Sequence, residues 1–150
     1  MKIEEEIQQK TFQSEYQKVS INLLFTASWL SSMNTEALKP FNISWQQFNI
    51  LRILRGRNPK PATVKLLSER MIDKMSNASR LVEKLRNKGL VERTTCEEDR
   101  RQVNIIITPA GLELIAKASE AIEANISHIL RTISPKEAKQ LNGLLDKIRG

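Results

Sequence analysis

Ala78, Leu81, Val82 and Leu85 recur at i, i+3, i+4 and i+7, and the run closes on Asn87-Lys88-Gly89. Only a helical period brings those four apolar positions to one face, so the segment must be an amphipathic helix packed inward on that side. The face left over is polar and basic. Gly89 suits the left-handed position just past a helix end, where a side chain carries a steric cost, so the helix ends at about Lys88. Two extended runs follow, Leu90 to Cys96 and Gln102 to Ile107, the second with Val103, Ile105 and Ile107 alternating. The charged run Glu97-Glu98-Asp99-Arg100-Arg101 between them predicts a hairpin tip. Upstream, Thr63 to Met71 reads as a short helix with Val64, Leu66 and Leu67 apolar. Short helix, turn, basic helix and hairpin in succession predict a winged helix-turn-helix.

The flanks are helical. Ile7, Phe12, Tyr16, Val19, Leu23, Ala27 and Leu30 fall mostly three or four apart and predict one long helix over residues 5–33. Ile21, Leu24, Phe25 and Trp29 widen its stripe beyond what one intramolecular neighbour needs, which predicts a partner subunit. Pro40 breaks the run, and the capping box Ser44-Trp45-Gln46-Gln47 starts a helix with Phe48, Leu51 and Leu54 inward, ended by Gly56, Asn58, Pro59 and Pro61. Thr108-Pro109 opens a helix with Leu112, Ile115, Ile122, Ile126, Ile129 and Ile133 apolar. A second capping box, Ser134 to Glu137, starts a last helix with Leu141, Leu144, Leu145 and Ile148 inward. The expected fold is mainly α with a small β-hairpin wing. The single chain 1–150 is expected to divide into a winged-helix region over residues 40–107, the candidate for DNA binding, and a helical region over residues 1–39 and 108–150, the candidate for dimerisation.

Charge separates the same way. Of a net +7, residues 40–101 hold 14 basic against 7 acidic side chains, while both flanks are near neutral. All seven aromatic residues precede residue 49, so the stretch from Arg52 to Arg101, which carries all 14 of those basic side chains, has no ring on which to stack an unpaired base. This favours duplex DNA over RNA or single strands. One cysteine, Cys96, and one histidine, His128, leave no disulfide and no zinc cluster. No glycine-rich phosphate loop, no His beside a nucleophile and no metal-ligand spacing is present, so neither enzyme nor cofactor chemistry has candidate residues. With no signal-peptide pattern and no run near ~20 apolar residues, the chain reads as cytoplasmic and free of a membrane.

The candidate reading surface is Lys74-Met75-Ser76-Asn77-Ala78-Ser79-Arg80, taken as the start of the basic helix. A helix fits the major groove, and residues near its N-terminus meet base edges. Lys74, Ser76, Asn77, Ser79, Arg80 and Lys84 are the named contacts. Asn77 can bond adenine bidentately and Arg80 guanine or phosphate, while Lys84, Arg86 and Lys88 suit phosphates. At the wing, Arg100 and Arg101 are candidates for the minor groove, with Asp99 orienting one of them through a charge-assisted bond. The competing reading, a winged helix used as a protein-interaction or RNA-binding module, places an acidic partner on the same face.

The run Leu67-Ser68-Glu69-Arg70-Met71, then Arg80-Leu81-Val82-Glu83-Lys84-Leu85, Lys88-Gly89-Leu90-Val91-Glu92-Arg93, Asp99-Arg100-Arg101 and Ile107-Thr108-Pro109-Ala110-Gly111, in that order, resembles the MarR family of bacterial transcriptional regulators. The resemblance covers about residues 40–115. It implies a homodimer with one winged-helix reader per subunit on a pseudo-palindromic operator, usually as a repressor. Asp99 and Arg101 match the family's wing motif, which implies that Arg101 enters the minor groove. The family often senses small phenolic or aromatic compounds, so Phe12, Tyr16, Phe25 and Trp29 become candidates for an effector pocket, against a core or dimer-interface role. Members that sense through cysteine carry it in the first helix. Here that helix has none, and Cys96 beside Glu97 and Glu98 is disfavoured as a thiolate. His128 reads as an incidental surface or interface residue.

Overall fold

The computed structural model describes residues 1–95 and 98–150. Cys96 and Glu97, and what the sequence suggested for them, lie outside the described residues. The chain divides into two compact units, Met1–Trp45 and Gln46–Gly150.

In the first unit the single helix expected over residues 5–33 is two: α1 (Ile3–Glu6) and α2 (Glu15–Leu38). The apolar spacing runs across the break, but the backbone does not. Gln8 takes a positive φ of 54°, and Ser14 is extended. Ser14 Oγ accepts the Gln17 amide at 3.1 Å, and the Gln17 side chain accepts the Gln13 amide at 2.7 Å. These bonds satisfy free amides at the start of α2 and fix where it begins. Lys18 on α2 pairs with Glu4 on α1 and lies 5.8 Å from the Phe12 ring centre. Its hydrogen bond holds the Glu4 carboxyl below its ordinary range. After α2, Pro40 sits in a 3₁₀ turn (Lys39–Phe41), and Asn42 turns the chain at φ 52°.

The second unit carries α3 (Trp45–Arg57, its first residue at the boundary), β1 (Ala62–Thr63), α4 (Val64–Arg70), α5 (Ala78–Asn87), β2 (Val91–Thr95), β3 (Val103–Ile107), α6 (Pro109–Leu130) and α7 (Pro135–Arg149). The expected hairpin is there, with Val91 opposite Ile107 and Thr95 opposite Val103. It is part of a three-stranded antiparallel sheet of order β1-β3-β2, because Ala62 and Thr63 pair with Ile105 and Asn104. Thr63 then caps α4, accepting the Leu66 amide at 3.1 Å. Leu51, Leu54, Leu67, Leu85, Val91, Ile105 and Ile115 are fully buried and form the core of the second unit.

Gly89 has the expected positive φ, 74°. The Leu90 amide returns to the Leu85 carbonyl at 3.0 Å, so the sheet is reached within one residue of the turn. Thr108 caps α6 at the Gly111 amide and also donates to the Gly89 carbonyl at 2.7 Å. Gly111 is required there: a Cβ would lie 2.2 Å from the Leu90 carbonyl oxygen. The Ser134–Glu137 capping box is formed in both directions. The inward face expected for α7 is not inward within the chain. Leu141, Leu144 and Ile148 are exposed and Leu145 is half-buried, because among the described residues no other element of the second unit covers them.

Candidate nucleic-acid interface

The basic helix α5, the candidate reader, begins later than the sequence suggested. Asn77 is its N-cap, with Oδ1 accepting the Arg80 amide at 3.1 Å, and Ala78 is the first helical residue. Lys74 and Ser76 therefore lie in the turn between α4 and α5. Lys74 is exposed and donates through Nζ to the Glu69 carbonyl, and Ser76 is half-buried with its Oγ unpaired among the described residues. The cap occupies the oxygen that bidentate recognition of adenine by Asn77 would use.

Beyond the cap the helix has two exposed stripes. Ala78, Val82 and Leu85 are buried. At about 100° per residue, Arg80, Lys84 and Asn87 share the opposite side, and Ser79, Glu83 and Arg86 the flank beside it. Arg80, Lys84, Asn87 and Ser79 are all exposed. Glu83 marks which flank faces the wing. Its carboxylate takes Arg86 at 2.7 Å from one turn along the helix and Arg93 at 3.2 Å from β2. The hydrogen bond from Arg86, with Arg93 adding to it, holds Glu83 below the ordinary carboxylate range.

The basic surplus is thus partly committed. Arg57 donates to the Pro61 carbonyl and Arg55 to Ser119. Arg86 and Arg93 share Glu83, which leaves Arg80 and Lys84 as the cations that α5 itself offers outward.

At the wing β3 begins at Val103, and Arg100 and Arg101 lie in the turn before it, so strand alternation does not reach them. Both are exposed in the tip turn. Among the described residues Asp99 acts on the backbone and not on a guanidinium: Oδ1 accepts the Arg101 amide at 3.0 Å, and its carbonyl accepts the Gln102 amide at 3.0 Å. The carboxylate fixes the turn that presents the two arginines.

Three residues of consequence were missed. Asn49, on α3 and 2% exposed, accepts the Ile72 amide at 2.9 Å and pins the turn before α5. Ile72 and Met75 stand in that turn, 64% and 93% exposed. An apolar letter reads as core, so Ile72 carried no surface signal, and Met75, although inside the candidate reading run, was not among its named contacts.

A separate groove of about 370 Å³ lies within the first unit, lined by Met1, Ile3, Glu6, Asn22, Phe25, Thr26 and Trp29. It brings together two of the four aromatic candidates. Phe12 and Tyr16 are not in its wall; Tyr16 is exposed, and Phe12 lies by Lys18. Among the described residues no group of acidic, His or Cys side chains could hold a metal, and no helix is long and apolar enough to cross a membrane.

Comparison with known proteins agrees with this architecture. The MarR family model matches residues 43–103. The HTH-type transcriptional regulator PecS of Dickeya dadantii (strain 3937) is 33% identical over 110 residues, covering 72% of this chain. The chain spans 66% of the length of PecS, just under two thirds. The organohalide-sensing RdhR-CbdbA1625 transcriptional regulator, in its 2,4-dichlorophenol-bound form, superposes with a TM-score of 0.83 at 20% identity, covering 94% of this chain and 85% of that one. A cysteine-to-serine mutant of MarR from E. coli, complexed with operator DNA, superposes with a TM-score of 0.79 at 20% identity, covering 93% and 99%. With these matches over the reading helix and wing, the chain belongs to the MarR family of winged-helix transcriptional regulators, a family of DNA-binding proteins and not of enzymes.

Proposed function

We propose that the protein is a sequence-specific duplex-DNA-binding repressor that acts in the cytoplasm as a homodimer, each subunit placing α5 in a major groove of a pseudo-palindromic operator. The observation that carries this reading is the exposed stripe of Arg80, Lys84 and Asn87 on a helix whose reverse side is core, with the Arg100–Arg101 tip at the end of the adjoining hairpin. The operator complex of E. coli MarR, which shares this fold, supports it. In a two-fold dimer the half-sites lie about one turn apart, roughly 34–36 Å between centres. Residues 1–39 and 108–150 form the dimerisation region and residues 40–107 the reader. Lys74, Ser76, Ser79, Arg80 and Lys84 take the major-groove side, Asn77 holds the helix start, and Asp99 presents Arg100 and Arg101 to the minor groove. RNA is the weaker candidate, since no aromatic ring follows Phe48.

Arg80→Ala is expected to cost about 1–3 kcal/mol of operator binding and to relax specificity at one base pair. Lys84→Ala is expected to weaken all duplexes alike and to lower the salt slope by about one. Duplex affinity across a salt series, for cognate and scrambled sequences, checks both. Equal binding by both variants and the parent would remove α5 as the reader.

The groove between α1 and α2 is the proposed seat of a small aromatic effector. Its volume lies within the ~300–1,000 Å³ of ligand sites, and Phe25 and Trp29 give it aromatic walls. The dichlorophenol complex of RdhR-CbdbA1625 makes a halogenated phenol the probe of choice. Addition of 2,4-dichlorophenol is expected to quench Trp29 fluorescence and to release operator DNA, and Trp29→Leu to abolish the quench. Release that persists in Trp29→Leu with unaltered midpoint would place the effector elsewhere.

A further inference from the structure

We propose that Met75 reads sequence, its side chain meeting the C5-methyl group of a thymine in the major groove. The proposal rests on the DNA-binding reading above and adds to it the chemistry of one base. Met75 is 93% exposed, more than any other apolar residue of a turn whose remaining exposed side chains are Ile72 (64%), Asp73, Lys74 and Asn77. A single exposed apolar residue is common on protein surfaces. This one, however, lies two residues before the N-cap of the reading helix, at the end that approaches base edges.

The turn that carries it is held from several sides. The Met75 amide donates to Asp73 Oδ1 at 3.0 Å, the Ser76 amide to the Asp73 carbonyl at 3.2 Å, and the Ile72 amide to buried Asn49 at 2.9 Å. Asp73 thus spends its carboxylate on the turn, and the Met75 backbone is fixed before any partner arrives. The exposed cations within five residues, Arg70, Lys74 and Arg80, favour a polyanion as occupant over an apolar protein surface. A thioether cannot donate to a phosphate. In the major groove the apolar feature of a base edge is the thymine methyl, and an unbranched, polarizable side chain conforms to it readily.

The test uses the full-length chain and an operator selected from random duplexes, with each thymine replaced singly by deoxyuridine, which removes only the methyl group. The parent is expected to lose about four-fold in affinity at one thymine per half-site, the worth of one buried methyl group. Met75→Ala is expected to bind the thymine and deoxyuridine operators equally, at the parent's deoxyuridine level, with unaltered thermal melting because Met75 is 93% exposed. The proposal is overturned if the parent is indifferent to every methyl, or if Met75→Ala keeps the same sensitivity or weakens all duplexes alike. A parent that selects no duplex would instead overturn the DNA-binding reading itself.

Discussion

Asn49 shows how much of the reading surface rests on a single buried polar group. Its Oδ1 takes the Ile72 amide at 2.9 Å from a position 2% exposed, while its Nδ2 has no partner among the described residues. Burying an amide is unfavourable unless it is bonded, so the contact to the turn is what justifies an Asn in the core. Asn49→Ala leaves the Ile72 amide unsatisfied. We expect a loss of about 1–3 kcal/mol in denaturant unfolding, together with weaker operator binding because the turn before α5 loses its anchor. Unchanged stability would mean that water replaces the side chain at no cost. Asn77, in contrast, is held by a local bond three residues away, which is why its cap could have been inferred from its place before Ala78. Taking the helix to start earlier moved Lys74 and Ser76 into it and assigned Asn77 a base.

Between elements, the link that matters most is Glu83, which joins α5 to β2 by taking Arg86 and Arg93 together. Exposed ion pairs contribute little to stability, so its role is better sought in what the two arginines are kept from doing. Freed, each is a phosphate ligand on the wing side of the reading helix. Glu83→Gln is expected to leave thermal melting nearly unaltered, to raise affinity for scrambled duplex, and to steepen the salt slope by about one to two, near 0.9 for each new phosphate contact. An unaltered slope would show that Arg86 and Arg93 already reach the backbone in the parent. The sign with pH follows from the lowered pKa: the clamp is present above the ordinary carboxylate range and is lost only as pH falls through the depressed value, well below neutrality. Elements fixed by neighbours within four residues were legible in the sequence, among them α5, the turn at Gly89 and the caps at Thr108 and Ser134. β1 was not, because its partner in β3 lies some forty residues on and two residues carry no period. The break before α2 was missed although Ser14 and Gln17 spell its start, since the apolar spacing continued across it. The charged candidates Arg80 and Lys84 were legible by their position opposite an apolar stripe; Met75, Asn49 and Glu83 act through the turn and the wing, which no local pattern encodes.

At the scale of the whole molecule, α7 is a properly capped helix with a regular apolar face that nothing among the described residues of its own unit covers. Leu144 is 60% and Ile148 61% exposed, with Leu141 beside them, and in the first unit Tyr16 and Leu24 of α2 are exposed as well. Patterned apolar faces left in water mark an interface, and a second copy of the chain is the proposed cover. Dimerisation also accounts for the distribution of charge, because pairing near-neutral flanks doubles the basic readers without opposing them across the interface. Leu144→Glu combined with Ile148→Glu places four carboxylates in a two-fold contact. We expect a monomer by sedimentation, with helical content retained because both positions are exposed in the isolated chain. Operator affinity should fall by about 10²–10⁴-fold as two linked half-site contacts become one. A single half-site duplex discriminates further: the parent and the monomeric variant should bind it alike, since nothing in α5 or the wing has been altered. A variant that still sediments as a dimer, or one that loses half-site binding too, would exclude this face as the dimer contact or show that α7 supports the reader directly.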